Sequence, residues 1–150
     1  MRGALLDRDG VLLLMDEEAL YKKALAVLAQ VVHEINEAVR HLQVRTLEEE
    51  GRFWRKQVLR VSQELRVPEA KLLSLHYYHF MRQAPGAEAL LRSLKAQGLK
   101  VGVLSNTLPS LRESLAYHGL APYVDGFFAS CALGVAKPDP RAQEAKKPST

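Results

Sequence analysis

A chain of 150 residues is long enough to bury a sizeable core, and 47% hydrophobic with 25% charged residues is typical of a soluble globular protein. A net charge of +4 is too small to indicate nucleic-acid binding, and no apolar run approaches the roughly 18 residues of a membrane span. Asp7 and Asp9 interrupt any signal-peptide core near the start, and a single cysteine, Cys131, excludes an intrachain disulfide. We therefore expect a cytoplasmic protein.

The first predicted strand ends in two acidic residues. Ala4, Leu5 and Leu6 are apolar without alternation, which predicts a strand buried on both faces of a parallel sheet. Asp7 and Asp9 follow it, at the end of the strand where open α/β sheets bind their ligands. Two carboxylates this close repel each other unless a cation, such as a hard divalent metal, compensates. The alternative is a polar turn in which the acids cap backbone N–H groups.

A helical segment is predicted over residues 16–83, with no strand signal. It follows a short apolar run, residues 11–15, which we interpret as a flap or hairpin arm over the site. Asp16 suits an N-cap, and apolar residues at spacings of three and four continue to Leu42. This pattern predicts one long amphipathic helix.

Two more helices are expected before residue 84. Thr46, with Glu49 three residues later, has the pattern of a capping box that opens the second helix. Pro68 fits the first turn of the third, whose apolar residues are Leu72, Leu75 and Phe80.

From Pro85 onward helices and strands alternate. The predicted elements are a helix that ends at Gly98, a strand at residues 101–104, a helix from Pro109 to Gly119 and a strand at residues 126–129. A β-α-β-α-β order is typical of a parallel sheet with right-handed crossovers. We expect one α/β domain made of residues 1–15 and 84–150, with a helical domain of residues 16–83 inserted.

Polar side chains collect where the predicted strands end. Ser105 and Asn106 follow the second strand as Asp7 follows the first, so a hydroxyl and an amide should face the carboxylates. Lys137 precedes Pro138, which favours an extended backbone, and Asp139 can cap a helix that follows. Carboxylates, a hydroxyl donor and a held ammonium are the groups that phosphoryl transfer needs.

These residues resemble the haloacid dehalogenase-like (HAD) superfamily. Its first motif matches residues 7–11, its second matches Ser105, and its third matches Lys137 in a Lys-Pro-Asp-Pro turn. The resemblance covers nearly all of residues 1–141. It implies a Rossmann-like, three-layer α/β core with a parallel sheet and an inserted α-helical cap.

The resemblance also implies a role for each site residue. Asp7 would be the nucleophile that forms an aspartyl-phosphate, and Asp9 the general acid and base. Ser105 and the backbone of Asn106 would hold the phosphoryl oxygens, and Lys137 would neutralise charge on nucleophile and phosphate. Mg²⁺ would bind the Asp7 carboxylate and the Asp9 carbonyl oxygen.

The expected function is Mg²⁺-dependent hydrolysis of a phosphate monoester, with a small phosphorylated metabolite as substrate. An acid at position 9 favours a phosphatase or a phosphomutase, because the family's dehalogenases lack it. The alternative from another class is a non-catalytic, truncated binding or regulatory protein. The identity of the substrate stays open.

The family's fourth motif, a pair of acids that completes the Mg²⁺ site, has no match in the sequence after Lys137. This predicts a core without its C-terminal strands, through truncation or a change of reading frame. Leu5 and Leu6 would then line an open sheet edge, which favours a homo-oligomer. We expect Mg²⁺ binding no tighter than the millimolar range and little phosphatase activity.

Aromatic residues and histidines of the helical segment allow two interpretations. Trp54, Tyr77 and Tyr78 either line a substrate pocket under the cap or pack in a core or interface. His76 and His79 have a spacing that can serve a metal. We favour packing for these two, because no acid or thiol accompanies them in the sequence.

Overall fold

The computed structural model describes residues 2–15, 25–73 and 75–137. Over this part of the chain, five strands and six α-helices follow one another, with short 3₁₀ helices at Tyr77–Phe80 and Ala121–Tyr123. In chain order they are β1 (Gly3–Leu6), β2 (Leu13–Met15), α1 (Leu25–Arg40), α2 (Leu47–Leu65), α3 (Glu69–Leu72), β3 (Met81–Gln83), α4 (Ala87–Ala96), β4 (Lys100–Ser105), α5 (Leu111–Tyr117), β5 (Gly126–Ala129) and α6 (Ser130–Leu133). The N-cap predicted at Asp16 and the helix start predicted at Asp139 lie outside the described residues.

Strands β1, β4 and β5 form a parallel sheet with β4 at its centre. Val101, Val103 and Leu104 of β4 are at most 2% exposed, as the apolar run without alternation predicted. The leucines of α4, α5 and the loops beside them complete the core at 0–1% exposure: Leu91, Leu108, Leu111, Leu115 and Leu120. The predicted α/β class with a parallel sheet is confirmed.

Strand β1 lies at the edge of this sheet. Among the described residues it pairs with β4 alone, and Leu5 is 43% exposed. The prediction that this strand is buried on both faces is therefore wrong, because burial depends on a neighbour on the second side. The open edge that the unmatched fourth motif predicted is present in the described part of the chain.

A small antiparallel hairpin corrects the prediction that residues 16–83 contain no strand. β3 pairs with β2, and Met15 lies opposite Met81. The prediction of a hairpin arm at residues 11–15 is confirmed. The helices α1, α2 and α3 come between the two strands of this hairpin in the sequence.

The third predicted helix is interrupted. After the four residues of α3, a 3₁₀ helix covers Tyr77–Phe80 and leads directly into β3. The Nδ1 atom of His76 accepts from the backbone N–H of Tyr77 at 2.8 Å, and that of His79 accepts from the N–H of His76 at 2.8 Å. These side chains satisfy backbone donors locally, so the chain starts a new short helix there.

Thr46 begins α2 as predicted, because its side chain accepts from the backbone N–H of Glu49 at 3.1 Å. The helix ends at Arg66, which has a left-handed backbone with φ of 54°. No helix in the described ranges combines the length and apolar character that crossing a membrane requires.

Candidate active site

The carboxyl ends of β1 and β4 bring Asp7 and Lys137 together. The Nζ atom of Lys137 donates to Oδ2 of Asp7 at 2.9 Å and to the carbonyl oxygen of Leu104 at 3.2 Å. Asn106 holds the lysine backbone from both sides: its Oδ1 accepts from the Lys137 N–H at 2.8 Å, and its Nδ2 donates to the Lys137 carbonyl at 3.2 Å. The ammonium is thus positioned by β4 and by the residue that follows it.

Asp9 lies on the same side of the sheet end and contacts Ser105. The Ser105 hydroxyl donates to Oδ2 of Asp9 at 3.4 Å, and the serine itself is 1% exposed. The Asp9 side chain is 49% exposed. The structure therefore places Asp7, Asp9, Ser105, Asn106 and Lys137 in one region, as the predicted sheet required.

Gly10 allows the chain to turn sharply beyond the two acids. Its φ of +80° lies in the left-handed region that favours glycine, and its N–H donates to the Leu13 carbonyl at 2.9 Å. The Arg8 carbonyl accepts from the N–H groups of Leu12 and Leu13, each at 2.9 Å. This tight loop fixes the acids at the strand end and starts β2.

Arg8 is a site residue that the sequence analysis missed. Its guanidinium forms a fork with the Asp9 carboxylate, with Nε to Oδ1 at 2.9 Å and Nη2 to Oδ2 at 3.1 Å. Its other N–H groups donate to Thr107 Oγ1 at 2.6 Å and, through Nη1, to the Tyr77 hydroxyl at 2.5 Å and Ser114 Oγ at 3.1 Å. All five donors of a guanidinium are thereby used.

The charge of Arg8 is stabilised although the residue is only 3% exposed. Burial acts to lower its pKa, but the Tyr77 hydroxyl and the Asp9 carboxylate outweigh burial and raise the pKa above the usual value. The chain bends at Arg8 after the end of β1, so strand alternation does not predict where its side chain lies. Its partners Tyr77, Thr107 and Ser114 are distant in the sequence, and only the fold brings them together.

A cavity of about 400 Å³ opens beside Asp9. Its floor is formed by Arg8, Asp9, Gly10, Asn106 and Thr107. Its walls come from β2, α1, α2 and the segment around the 3₁₀ helix: Leu13, Leu14, Val31, Val32, Ile35, Asn36, Val39, Trp54, Tyr77, Phe80 and Met81. Trp54 and Tyr77 thus line a pocket next to the acids, whereas Tyr78 stacks on His76 with ring centroids 4.7 Å apart.

The expectation that His76 has no acidic partner is wrong, because Glu50 contacts it in the folded chain. Nε2 of His76 lies 2.8 Å from Oε2 of Glu50, which is 2% exposed and whose Oε1 accepts from the backbone N–H of Ser110 at 2.9 Å. Because Nδ1 of His76 accepts from Tyr77, Nε2 is the ring nitrogen that donates to Glu50. With Trp54 stacked on its ring at 4.7 Å, His76 serves packing, as we favoured.

Cys131 takes no part in the site. It is fully buried, and burial raises the pKa of its thiol to about 11, so the sulfur is protonated at neutral pH. The interpretation of Cys131 as a small buried hydrophobe is confirmed.

The donors at the strand end suit a hard cation but are few. They are the carboxylates of Asp7 and Asp9 and the Asp9 carbonyl oxygen, all oxygen ligands of the kind that Mg²⁺ prefers. Within the described ranges, no three His, Cys, Asp or Glu side chains lie close enough together to hold a metal. These residues therefore fit Mg²⁺ only in a site where water and a phosphate provide most of the ligands.

A family model for haloacid dehalogenase-like hydrolases matches residues 1–146 of the chain. A phosphatase of Mycobacterium tuberculosis is 42% identical over 77 residues, which are 50% of this chain and 36% of that protein. The match thus spans about a third of that relative's length.

Two solved structures share the fold over 97% of this chain. The HAD phosphatase from Thermococcus onnurineus superposes with a TM-score of 0.55 at 21% identity, over 69% of its own chain. The L-2-haloacid dehalogenase from Xanthobacter autotrophicus superposes with a TM-score of 0.56 at 23% identity, over 63% of its chain. Fold similarity thus does not separate phosphatase from dehalogenase. The match over nearly the whole sequence does establish that this chain belongs to the haloacid dehalogenase-like hydrolase family.

Proposed function

We propose that this chain hydrolyses phosphate monoesters through a covalent aspartyl-phosphate on Asp7. The observation that carries the proposal is the pairing of the Asp7 carboxylate with the Lys137 ammonium at 2.9 Å, next to a second carboxylate at Asp9. The similarity to a phosphatase of Mycobacterium tuberculosis supports the same reaction class. An acid at position 9 favours it over dehalogenation, because a phosphate ester needs a proton on its leaving oxygen.

The first step transfers the phosphoryl group to the protein. An oxygen of Asp7 forms a bond to phosphorus while the bond from phosphorus to the ester oxygen breaks. Protonated Asp9 gives its proton to that oxygen, and the alcohol leaves. The Arg8 fork fixes the plane of the Asp9 carboxyl group, so the proton that Asp9 gives is carried on an oxygen lone pair that faces away from Arg8.

The second step restores the carboxylate. Asp9, now ionised, takes a proton from a water molecule whose oxygen attacks phosphorus. The bond between phosphorus and Asp7 breaks, and inorganic phosphate leaves. Ser105, the backbone of Asn106 and the ammonium of Lys137 stabilise the charge on the phosphoryl oxygens in both steps.

Mg²⁺ bound by the Asp7 carboxylate and the Asp9 carbonyl oxygen would supply further neutralisation of phosphoryl charge. With only two carboxylates near by, each already paired with a cation, we expect millimolar affinity and slow turnover.

We also propose that residues 16–83 form a cap over the site. Several hydrogen bonds of side chains join its described part to the α/β part: Glu50 to Ser110, Tyr77 to Arg8 and Ser110, and His118 to Tyr78 and Gln83. Motion of the cap as a unit would have to break these contacts, as lids commonly do when a site opens.

The test is turnover of p-nitrophenyl phosphate by the full chain at millimolar Mg²⁺, with Asp7→Asn beside it. We expect slow release of phosphate that Asp7→Asn abolishes, and a phosphorylated peptide containing Asp7 after acid quenching, detected by mass spectrometry. Glu48→Gln is the control, because its side chain is 82% exposed and pairs with Arg52 alone on the surface of α2.

Equal activity of the wild type and Asp7→Asn would exclude Asp7 as the nucleophile. A wild type with neither turnover nor a phosphorylated peptide would favour the alternative of a non-catalytic binding protein. The ion pairs of Asp9 with Arg8 and of Asp7 with Lys137 support that alternative, because both acids already have a cationic partner.

A further inference from the structure

The cavity beside Asp9 is polar on its floor and apolar on its walls. Aliphatic side chains of α1 form one wall, and Trp54, Phe80 and Tyr77 line it from the other elements. The aliphatic residues of that α1 wall are Val31, Val32, Ile35 and Val39. A ligand that extends away from the strand end therefore meets hydrocarbon.

The described lining leaves little to bind a polar substituent. Apart from Arg8 and Asp9, no described residue that lines the cavity is charged. Arg8 has no free N–H to offer, because its five donors are bonded to Asp9 and to hydroxyls. A second ionised group would meet no described cation with a free N–H here, and a group with several hydroxyls would find few partners beyond Asn36, Asn106 and Thr107, which is unfavourable.

The size of the cavity sets a second limit. A volume of about 400 Å³ is far more than a phosphate group alone requires and lies within the range of small-ligand pockets. It accommodates a compact ring or branched alkyl group.

We propose that the phosphate ester taken by this site carries a compact apolar or aromatic group, seated between Trp54 and α1. This substrate class rests on the proposed function for the phosphate end of the ligand, at Asp7. The apolar group lies over Asp9, the residue that protonates the leaving oxygen to which that group is attached.

Binding of non-hydrolysable phosphonates tests the proposal without any turnover. Calorimetry at millimolar Mg²⁺ compares benzylphosphonate with methylphosphonate, and burial of the ring should tighten binding about tenfold or more. Trp54 is the only tryptophan of the chain and lines the cavity, so its fluorescence reports where the ring binds. We expect an emission change with benzylphosphonate and none with methylphosphonate.

A variant that binds the ligand more tightly is informative, because unfolding cannot produce that result. Asn36 lines the cavity on the exposed side of α1, so Asn36→Leu should tighten benzylphosphonate binding about threefold and leave methylphosphonate unchanged. His33→Leu is the matched control, since His33 is exposed on the same helix and does not line the cavity.

Equal affinities for the two phosphonates, binding of neither, or equal effects of the two leucine variants would overturn the proposal. A preference for the aromatic ligand in a chain without Asp7-dependent turnover would uphold the substrate pocket and reject the catalytic proposal. Asp7-dependent turnover without that preference would uphold the catalytic proposal and reject the apolar substrate pocket.

Discussion

Asp7 and Asp9 are two residues apart, yet they lie in different surroundings. Asp9 is bound by the buried fork of Arg8, which three further elements hold through Tyr77, Thr107 and Ser114. Asp7 follows an edge strand and contacts Lys137, a side chain that is 32% exposed.

The difference lies in the cations: Arg8 is buried and Lys137 is partly exposed, whereas the side chains of the two acids are exposed to a similar degree, 49% for Asp9 and 40% for Asp7. A guanidinium with all its donors bonded cannot follow a moving ligand, whereas an ammonium on a long, partly exposed side chain can adjust. Under the proposed mechanism, the fixed guanidinium of Arg8 suits an acid that delivers a proton from one direction. The ammonium of Lys137, which can adjust, suits a nucleophile whose charge is shared with an arriving phosphate.

Among variants that keep Asp7, the largest effect is expected from Asp9→Asn, which is nearly isosteric and removes the acid, although the asparagine amide can accept only one of the two Arg8 hydrogen bonds. Hydrolysis should slow by about 10²- to 10⁴-fold, the usual range of acid–base catalysis. The loss should be greater for an alkyl phosphate than for p-nitrophenyl phosphate, because a good leaving group needs no proton. Equal losses for both esters would contradict an acid at position 9.

Arg8→Met removes the buried hydrogen bonds of Arg8 to Tyr77, Thr107 and Ser114. It should destabilise the fold by about 2–4 kcal/mol, because these buried hydroxyls lose their charged donor. Urea unfolding measures this. Tyr77→Phe removes the hydroxyl that accepts from Arg8 and, at 3.4 Å, from Ser110, and should cost about 1 kcal/mol. A change of less than about 0.5 kcal/mol for Arg8→Met would show that the network contributes little to stability.

Lys137→Met tests the ion pair between Lys137 and Asp7. We expect a loss of activity of about 10- to 100-fold with a change in unfolding free energy below about 1 kcal/mol, since partly exposed ion pairs contribute little to stability. Lys95→Met is the matched control, because Lys95 pairs with Asp125 at 2.7 Å with similar exposure, away from the acids. Loss of activity in both variants would argue against a specific role for Lys137.

The smallest effect on stability is expected at the edge strand that leads to Asp7. Leu5→Lys should convert a self-associated wild type into a monomer, measured by size-exclusion chromatography with light scattering, at a stability cost within about 0.5 kcal/mol. Leu73→Lys, at another exposed leucine, should leave association unchanged. A monomeric wild type would show that the edge at β1 does not mediate self-association.

Local patterns in the sequence were sufficient for the elements that present the site. An uninterrupted apolar run, a glycine turn and the rule that ligands meet the carboxyl ends of parallel strands place Asp7, Asp9 and Ser105 together. The start of α2 at Thr46 is equally local, since an N-cap depends on a residue three positions away. The roles of these side chains came from the family resemblance and stay proposals.

Contacts between distant residues were decided only in the tertiary structure. Arg8 meets Tyr77 and Ser114 across 69 and 106 positions, and Glu50 meets Ser110 across 60. The open edge at Leu5 was expected from the unmatched fourth motif, whereas the apolar run of the strand alone predicted burial. Local patterns place a residue on an element, but the partners of its side chain depend on how the elements pack. The contacts of the buried arginine and the apolar cavity therefore follow from the fold.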